Sequence, residues 1–364
     1  MVLFGIVIRS LPYDSAEKRP RGGWLLYSLL CLLLTPPGTV FGGFSFQGAK
    51  AAGMGTAFVA IADDPSAVTF NPAGLTQLEG TNLYGGVTSI FPSNSYESPS
   101  GQTERTDFQV FFSPHLYICS DLGTRDFRFG VGLFSPFGIG GRKWSETDLT
   151  RYSSVKNNTS TLAANPTIAY RLHPNLSVAA GLDYMFAMIE GKVMVNQSSL
   201  GARDGESRLK GNGDGWGYNF GFLYTPSERW SLGFAYRSGI KVNYKGELKL
   251  DNIASALQPL LGGSRFVTDI RSTNHFPQMA GFGIAFRPTG RWTLSFEVEW
   301  VGWSSFDETV IELEKKVPGA GLTDRVTVYV QAKSEKIFSF GVTHYLRCLR
   351  QVLFHKVECL LPLG

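Results

Sequence analysis

From residue 81 onward, large apolar residues alternate with small or polar ones, and this period of two limits the fold more than any other feature. In residues 216–224 every second residue is aromatic, and Gly217, Asn219 and Gly221 lie between them. The pattern resumes after a turn at 226–229 and recurs at 280–286 and 292–300. Successive residues of a strand face opposite sides, so each strand has one large apolar face and one small or polar face. The sequence therefore predicts an all-β fold of antiparallel hairpins.

The strands and their connections follow a regular plan. About ten strands are predicted in antiparallel order, over residues 81–91, 106–119, 126–135, 157–171, 175–193, 207–225, 229–248, 269–287, 291–312 and 326–346. Short turns near 121–126, 172–175, 226–229 and 287–291 alternate with long connections near 92–105, 136–156, 194–206, 249–268 and 304–325. This alternation is typical of an outer-membrane barrel. The glycine-rich residues 211–215 predict a local turn.

The composition favours strands that face lipid. Charged residues make up 18% of the chain and aromatic residues 13%, whereas soluble domains average about 25% charged residues. No apolar run after residue 42 approaches the ~18 residues of a spanning helix. We predict a transmembrane antiparallel β-barrel in the outer membrane, surrounded by outer-membrane lipid, and a soluble β-sandwich is the alternative. The net charge of +4 gives no basic face for nucleic acid.

Residues 1–42 are predicted to be an N-terminal extension and signal peptide. Lys18, Arg19 and Arg21 precede an apolar run at 24–34, and small residues near 42 offer a cleavage site. A membrane anchor is the alternative. Three cysteines remain after residue 42, an odd number that argues against a disulfide framework. The histidines show no metal-ligand spacing, and we expect no cofactor, no metal and no catalytic activity.

Residues 43–80 are predicted to form a small helical hatch before the barrel strands at 81–346. Asp64 precedes Pro65 and Asn71 precedes Pro72, and each pair is a cap followed by the proline of a first turn. Small residues surround both turns. The segment is too short to be a domain, so we predict a compact plug.

Residues 43–78 with the sequence NPAG at 71–74, the break at 134–138 and the hairpins that follow resemble the FadL family. Its members are outer-membrane transporters of long-chain fatty acids, with relatives that carry toluene and other aromatic hydrocarbons. The resemblance implies a fourteen-stranded barrel with a hatch, and a kink in the third strand through which substrate leaves sideways. We expect a monomer that passes hydrophobic small molecules.

The resemblance also implies roles for two motifs. The hatch motif is Asn71, Pro72, Ala73 and Gly74, and the strand kink is Ser135, Pro136, Phe137 and Gly138. A kink also fits the residue types, because proline cannot donate to the ladder and glycine gives backbone freedom. The alternative is that 136–141 simply begins an external loop.

Substrate contacts are predicted at three places, each with a structural alternative. Leu257, Leu260 and Leu261 have helical spacing in the loop 249–263 and belong either to a capture groove or to a cap over the barrel mouth. Phe44 and Phe46 reach an inner pocket or pack within the hatch. Arg237, on the presumed inward register with Lys241 and Lys245, binds a carboxylate or lines the lumen.

The end of the chain departs from the family pattern. Residues 347–364 form an atypical tail without a terminal aromatic strand, and about ten strands precede it instead of fourteen. We expect a truncated or frame-shifted reading of a longer gene. A general porin and a barrel enzyme or adhesin are the alternative functions.

Overall fold

A computed structural model describes residues 47–98, 100–305, 308–315, 317, 325–329 and 335–344. Fifteen strand segments form one antiparallel sheet, and a small hairpin joins two further strands. In chain order the strands are β1 (Thr81–Ile90), β2 (Ser95–Glu97), β3 (Thr103–Arg105), β4 (Phe111–Ser120), β5 (Phe127–Phe134), β6 (Ile139–Lys143), β7 (Lys156–His173), β8 (Leu176–Val195), β9 (Gly205–Ser227), β10 (Trp230–Arg237), β11 (Ile240–Asp251), β12 (Phe266–Phe276), β13 (Met279–Thr289), β14 (Trp292–Val301), β15 (Glu308–Leu313), β16 (Arg325–Tyr329) and β17 (Glu335–His344).

The main path through the sheet has ten strands, in the order β1-β4-β5-β7-β8-β9-β10-β13-β14-β17. The prediction of about ten antiparallel strands is therefore confirmed. Four of them continue beyond an interruption: β6 extends β5, β11 extends β10, β12 extends β13 and β15 extends β14. The short strand β16 pairs with β15. Among the described residues, β1 pairs only with β4 and β17 only with β14.

The two faces of the sheet differ as the alternation predicts. One face exposes large apolar side chains in rows along each strand, such as Trp216, Tyr218 and Phe220 of β9. The other face carries small and polar side chains, and it is buried against the N-terminal segment. An exposed apolar band on the outer side is what lipid solvates.

The N-terminal segment, residues 47–80, lies against this inner face. It contains helices α1 (Ala49–Gly53) and α2 (Ala67–Phe70) and a 3₁₀ helix at Pro72–Gln77. Phe58, Phe70 and Leu75 of this segment are fully buried with wall residues in one apolar core. Three further 3₁₀ turns (Leu149–Tyr152, Ser198–Leu200 and Trp303–Ser305) and helix α3 (Gln258–Leu261) lie in the connections.

Within the described part of the chain, no helix has the length and apolarity needed to cross a bilayer. The predicted signal peptide at 1–42, Phe44, Phe46 and the tail at 347–364 lie outside the described residues. Those expectations stay predictions, as do the domain boundaries.

Two local predictions are wrong. Residues 211–215 are not a turn, because they lie inside the continuous strand β9. Lys241 and Lys245 do not share the inward register of Arg237, because the strand is interrupted at 238–239 and its alternation reverses there. Arg237 is buried whereas Lys241 and Lys245 are exposed, so both lysines share a face with the outer apolar band.

Candidate functional site

Asn71 fastens the N-terminal segment to the sheet. Its side chain is completely buried, and its Nδ2 donates to the carbonyls of Val59 at 2.8 Å and Phe222 at 3.0 Å. Its Oδ1 accepts from the backbone N–H of Ala73 at 3.2 Å. Asn71 therefore caps the turn that opens with Pro72, as predicted, and also joins two stretches of this segment to β9.

The rest of the hatch motif is shaped by close backbone contact. A Cβ on Gly74 would lie 2.1 Å from the carbonyl oxygen of Ala62, so only glycine fits there.

The cap predicted at Asp64 differs slightly from expectation. Helix α2 begins at Ala67, and the Asp64 carboxylate accepts from the backbone N–H of Ser66 at 2.8 Å. Burial raises the pKa of Asp64 above its ordinary value, against the hydrogen bonds from Ser66, which lower it.

Glycines in the wall strands make room for the N-terminal segment. A Cβ on Gly221 would lie 2.3 Å from Oδ1 of Asn71, and one on Gly233 would lie 2.2 Å from the carbonyl oxygen of Val59. Gly341 of β17 approaches the backbone of Met54 in the same way. Glycine inside a strand often marks a close backbone approach, and these positions belong to the small-residue face that the alternation predicts.

Buried polar side chains of the wall hold the backbone of the segment. One carboxylate oxygen of Glu297 accepts from the N–H groups of Phe58 and Val59, both at 2.8 Å. The hydroxyl of Ser231 donates to the carbonyl of Ala60 at 2.6 Å. These bonds satisfy backbone groups that the segment's irregular path leaves without helix or strand partners.

Arg237 lies under the N-terminal segment as one member of a buried ion pair. Its guanidinium bonds to the carboxylate of Asp183, and both side chains are almost fully buried. The same guanidinium faces the carbonyls of Val68 and Thr69 at 3.4 Å and lies 5.1 Å from the ring centre of Phe134. Its charge is thus matched by Asp183, and a role in carboxylate binding stays a prediction.

The predicted kink residues lie in the interruption between β5 and β6. Phe134 pairs with Ala163 of β7, and the next pair is Ile139 with Ser160. Four residues on one strand therefore oppose two on its partner, which leaves two extra residues in the kinked strand. Gly138 has a φ of 86°, a left-handed conformation that favours glycine. Its carbonyl accepts from the N–H of Thr161 at 3.1 Å.

On its other edge, the kinked strand is not paired with β4 along part of its length. The β4–β5 ladder runs from Ser120 to Leu116, which pairs with Leu133, and no described residue in 111–115 pairs with β5 or β6. The chains rejoin where the N–H of Asp107 donates to the carbonyl of Lys143 at 2.8 Å. The wall thus has a gap in its ladder between these two points, beside the kink.

The kink touches both the N-terminal segment and the far wall. Nε2 of Gln47 donates to the carbonyl of Ser135 at 2.8 Å. Phe137 is buried, with its ring centre 4.7 Å from that of Phe276 and 6.3 Å from that of Trp303. Phe276 and Trp303 lie beside the interruptions of two other strands.

The apolar loop residues separate into two groups. Leu261 is buried in a second apolar cluster with Leu248, Leu250 and Phe266, and Leu257 packs against it. Leu260 is 48% exposed. The helical spacing is confirmed by α3 and the turn before it, and a capture role for these leucines stays a prediction.

The sequence did not single out several residues of this site. Gln47, Asp183, Phe276 and Trp303 contact the kink or Arg237 only through the three-dimensional fold. The alternation at 292–300 places Glu297 on the polar inward face of β14, as it does Glu299. The partners of Glu297, the backbone groups of Phe58 and Val59, leave no trace in residue type.

The fold and this packing define an outer-membrane β-barrel whose N-terminal segment lies against the inner wall. A family model described as "Outer membrane protein transport protein (OMPP1/FadL/TodX)" matches residues 37–347. The chain therefore belongs to this family of outer-membrane transporters of hydrophobic molecules, which confirms the resemblance found in the sequence.

Curated relatives agree with this membership. A long-chain fatty acid transport protein of Escherichia coli O6:H1 is 24% identical over 301 residues, which cover 73% of this chain and 67% of the relative. A putative outer membrane protein of Neisseria meningitidis serogroup B is 23% identical over 351 residues, covering 83% of this chain and 73% of the relative.

Solved structures share the fold. The toluene transporter TbuX of Ralstonia pickettii superposes with a TM-score of 0.68 at 16% identity and 83% coverage of both chains. A FadL homologue of Pseudomonas aeruginosa superposes with a TM-score of 0.67 at 16% identity, covering 83% of this chain and 77% of the other.

Proposed function

We propose that this chain moves long-chain fatty acids or aromatic hydrocarbons across the outer membrane, through a barrel that residues 47–80 plug as a hatch. The substrate then leaves sideways through the gap beside Ser135, Pro136, Phe137 and Gly138. The observation that supports this most strongly is the interrupted ladder between β4 and the kinked strand, which lies in direct contact with the hatch through Gln47 and Ser135. Family membership and the names of the relatives support the substrate class.

The physics of an apolar substrate favours a sideways path. Burial of an alkyl chain is worth ~0.8 kcal/mol per CH₂, so a water-filled pore offers such a molecule no driving force. The gap in the ladder lies beside the buried aromatic groups around Phe137, and we propose that substrate passes through it to the lipid-facing side. Phe137, Phe276 and Trp303 occupy this path in the present conformation, and we propose that they move when substrate passes.

A two-residue deletion tests the exit. Removing 135–136 removes the two extra residues, restores matched pairing with β7 and leaves the alternation of faces unchanged. We expect uptake of a labelled fatty acid or labelled toluene to fall several-fold while the amount of folded protein stays the same. The control deletes Ser100 and Gly101, which lie at the tip of the β2–β3 hairpin. Unchanged uptake after the first deletion refutes the lateral exit.

A general porin and a barrel enzyme remain distinguishable by simple assays. A hatch-filled carrier shows little conductance in a planar bilayer, whereas a porin shows large open channels. Ester hydrolysis by the purified protein identifies an enzyme. We propose no catalytic role, since the family to which the chain belongs is one of transporters.

A further inference from the structure

A basic groove lies on the outer face of the sheet, beyond the apolar band. It consists of Lys241 and Lys245 of β11 with His275 and Arg271 of β12. Lys241 lies directly opposite His275 in the ladder, and Lys245 lies directly opposite Arg271. All four side chains are exposed on one face. They line a concavity of about 510 Å³, together with the carboxylate-bearing Glu312.

The groove begins where the lipid-facing band ends. Trp230 starts the row of apolar and aromatic residues on β10 beside a short turn, and Tyr236 ends it. Lys241 follows Trp230 by eleven residues, against the ~9–11 residues that a spanning strand needs. The lysine therefore lies at the far membrane interface, on the side of the long loops. Long loops of such barrels are extracellular, so the groove lies at the depth of the outer-leaflet headgroups.

The groove contains three cationic side chains and one carboxylate. Arg271 lies directly opposite Glu312 in the β12–β15 ladder, whereas His275 and Arg271 lie opposite Lys241 and Lys245. Among the described residues, Lys241, Lys245 and Arg271 form no ion pair. On the same face, Lys249 pairs with Glu247 at 2.5 Å and Lys210 with Glu190 at 3.5 Å. Like charges that face each other across strands destabilise a sheet, and a bound anion removes that cost.

We infer that the basic groove binds the phosphate groups of an outer-leaflet lipid. Arg271 supplies a planar fork that suits phosphate, and Lys245 and Lys241 add point charges beside it. The groove continues directly into the apolar band, so the acyl chains of the same lipid can lie along Tyr236 and its neighbours. A dissolved phosphate ion has no acyl chains to contact the apolar band. The continuity of the groove with that band therefore favours a lipid over dissolved phosphate.

The test is a lipid titration followed by native mass spectrometry of the full chain in detergent. The probes are lipid A with two phosphates, the same lipid with its phosphates removed, and inorganic phosphate. We expect the bisphosphorylated lipid to bind and the dephosphorylated lipid to bind at least about tenfold more weakly, because charged hydrogen bonds are lost. We expect the variant K245Q/R271Q to lose about tenfold or more in affinity for the bisphosphorylated lipid.

The controls are K210Q and K249Q, which remove a charge from the same face but from residues that have acidic partners. We expect both to bind within about threefold of the parent. Equal binding of the two lipids by the parent protein refutes the inference even if the double variant does not fold. The inference is also refuted if the controls lose as much affinity for the bisphosphorylated lipid as the double variant does. Displacement of the lipid by an equimolar amount of inorganic phosphate identifies a free-anion site and refutes the lipid assignment. None of these outcomes depends on which substrate the barrel transports.

Discussion

Replacing Asn71 with alanine should loosen the N-terminal segment by an amount that the structure allows us to work out. The change removes two donated bonds, to Val59 and Phe222, and one accepted bond, from Ala73. All three backbone groups lose their side-chain partner; the bonds to Val59 and from Ala73 are buried, and the bond to Phe222 is partly buried. Each such loss costs ~1–3 kcal/mol, so we expect the docking of the segment to weaken by about 3 kcal/mol or more.

Hydrogen exchange measures this directly. We expect the backbone amides of Ala67, Val68, Thr69 and Phe70 to exchange roughly a hundredfold faster in N71A, since ~1.4 kcal/mol corresponds to a factor of ten. Amides of the central strands should keep their rates, because the wall ladder does not depend on this side chain. The matched control is N82A, whose half-buried side chain donates to the nearby carbonyl of Glu79 at 2.9 Å. Rates in N71A within threefold of the parent contradict the reasoning.

Three further changes probe the same packing. G233V should prevent docking of the segment, because a Cβ there would lie 2.2 Å from the carbonyl oxygen of Val59, whereas G290A, which adds a Cβ in open space, should be neutral by the same exchange measurement. E297A removes the acceptor of the buried N–H of Val59 and should speed its exchange by about tenfold or more. The N–H of Phe58 keeps the carbonyl of Thr56 as an acceptor at 2.8 Å and should change less, and E297Q should restore most of the protection. Because the pKa of Asp64 is raised in the folded protein, the protonated carboxyl stabilises the fold. This stabilisation is complete below the pKa of Asp64 in the unfolded chain and is lost as the pH rises through its pKa in the folded protein. Protection of α2, corrected for intrinsic rates, should therefore increase as pH falls through this range, and D64N should flatten that dependence.

The wall was predictable from the sequence because its signal is local. Alternation along each strand depends on neighbouring residues only, and the glycines that face Asn71 and Val59 are visible in the printed sequence as part of the small-residue face. The capping of the turn by Asn71 is equally local, since Ala73 is two residues away.

The parts that sequence reasoning missed depend on distant pairing or on irregular backbone. The interruption at 238–239 reverses the alternation, so a strict period of two places Lys241 and Lys245 on the wrong face. The partner of Arg237 is Asp183, 54 residues earlier in the chain. From the sequence alone, Arg237 looks like an unpaired cation that could bind a substrate carboxylate. Only the three-dimensional fold shows that Asp183 is its partner.

The predicted kink has one part that the local sequence indicates and another that depends on distant pairing. Proline and glycine at 136 and 138 indicate an interruption, but they do not give the number of extra residues, which follows from the pairing of β5 and β6 with β7. The loss of the ladder to β4 is likewise a property of the neighbouring strand and has no signal in the kink residues themselves.

A reversible cross-link across the gap tests the lateral exit most directly. The ring of Phe111 on β4 lies 2.8 Å from the position of a Cβ on Gly140 of β6, so cysteines at these positions can join the two strands. The variant F111C/G140C is made in a background without the native cysteines. Gly140 has a φ of 140°, and comparing the oxidised and reduced forms of one variant separates strain there from the effect of the bond.

The control is the pair I118C/V131C, which joins strands already paired in the intact β4–β5 ladder. We predict that oxidation of F111C/G140C lowers uptake of labelled hydrophobic substrate several-fold and that reduction restores it, while the control pair transports equally in both states. Full transport by the oxidised F111C/G140C protein contradicts an exit through this gap.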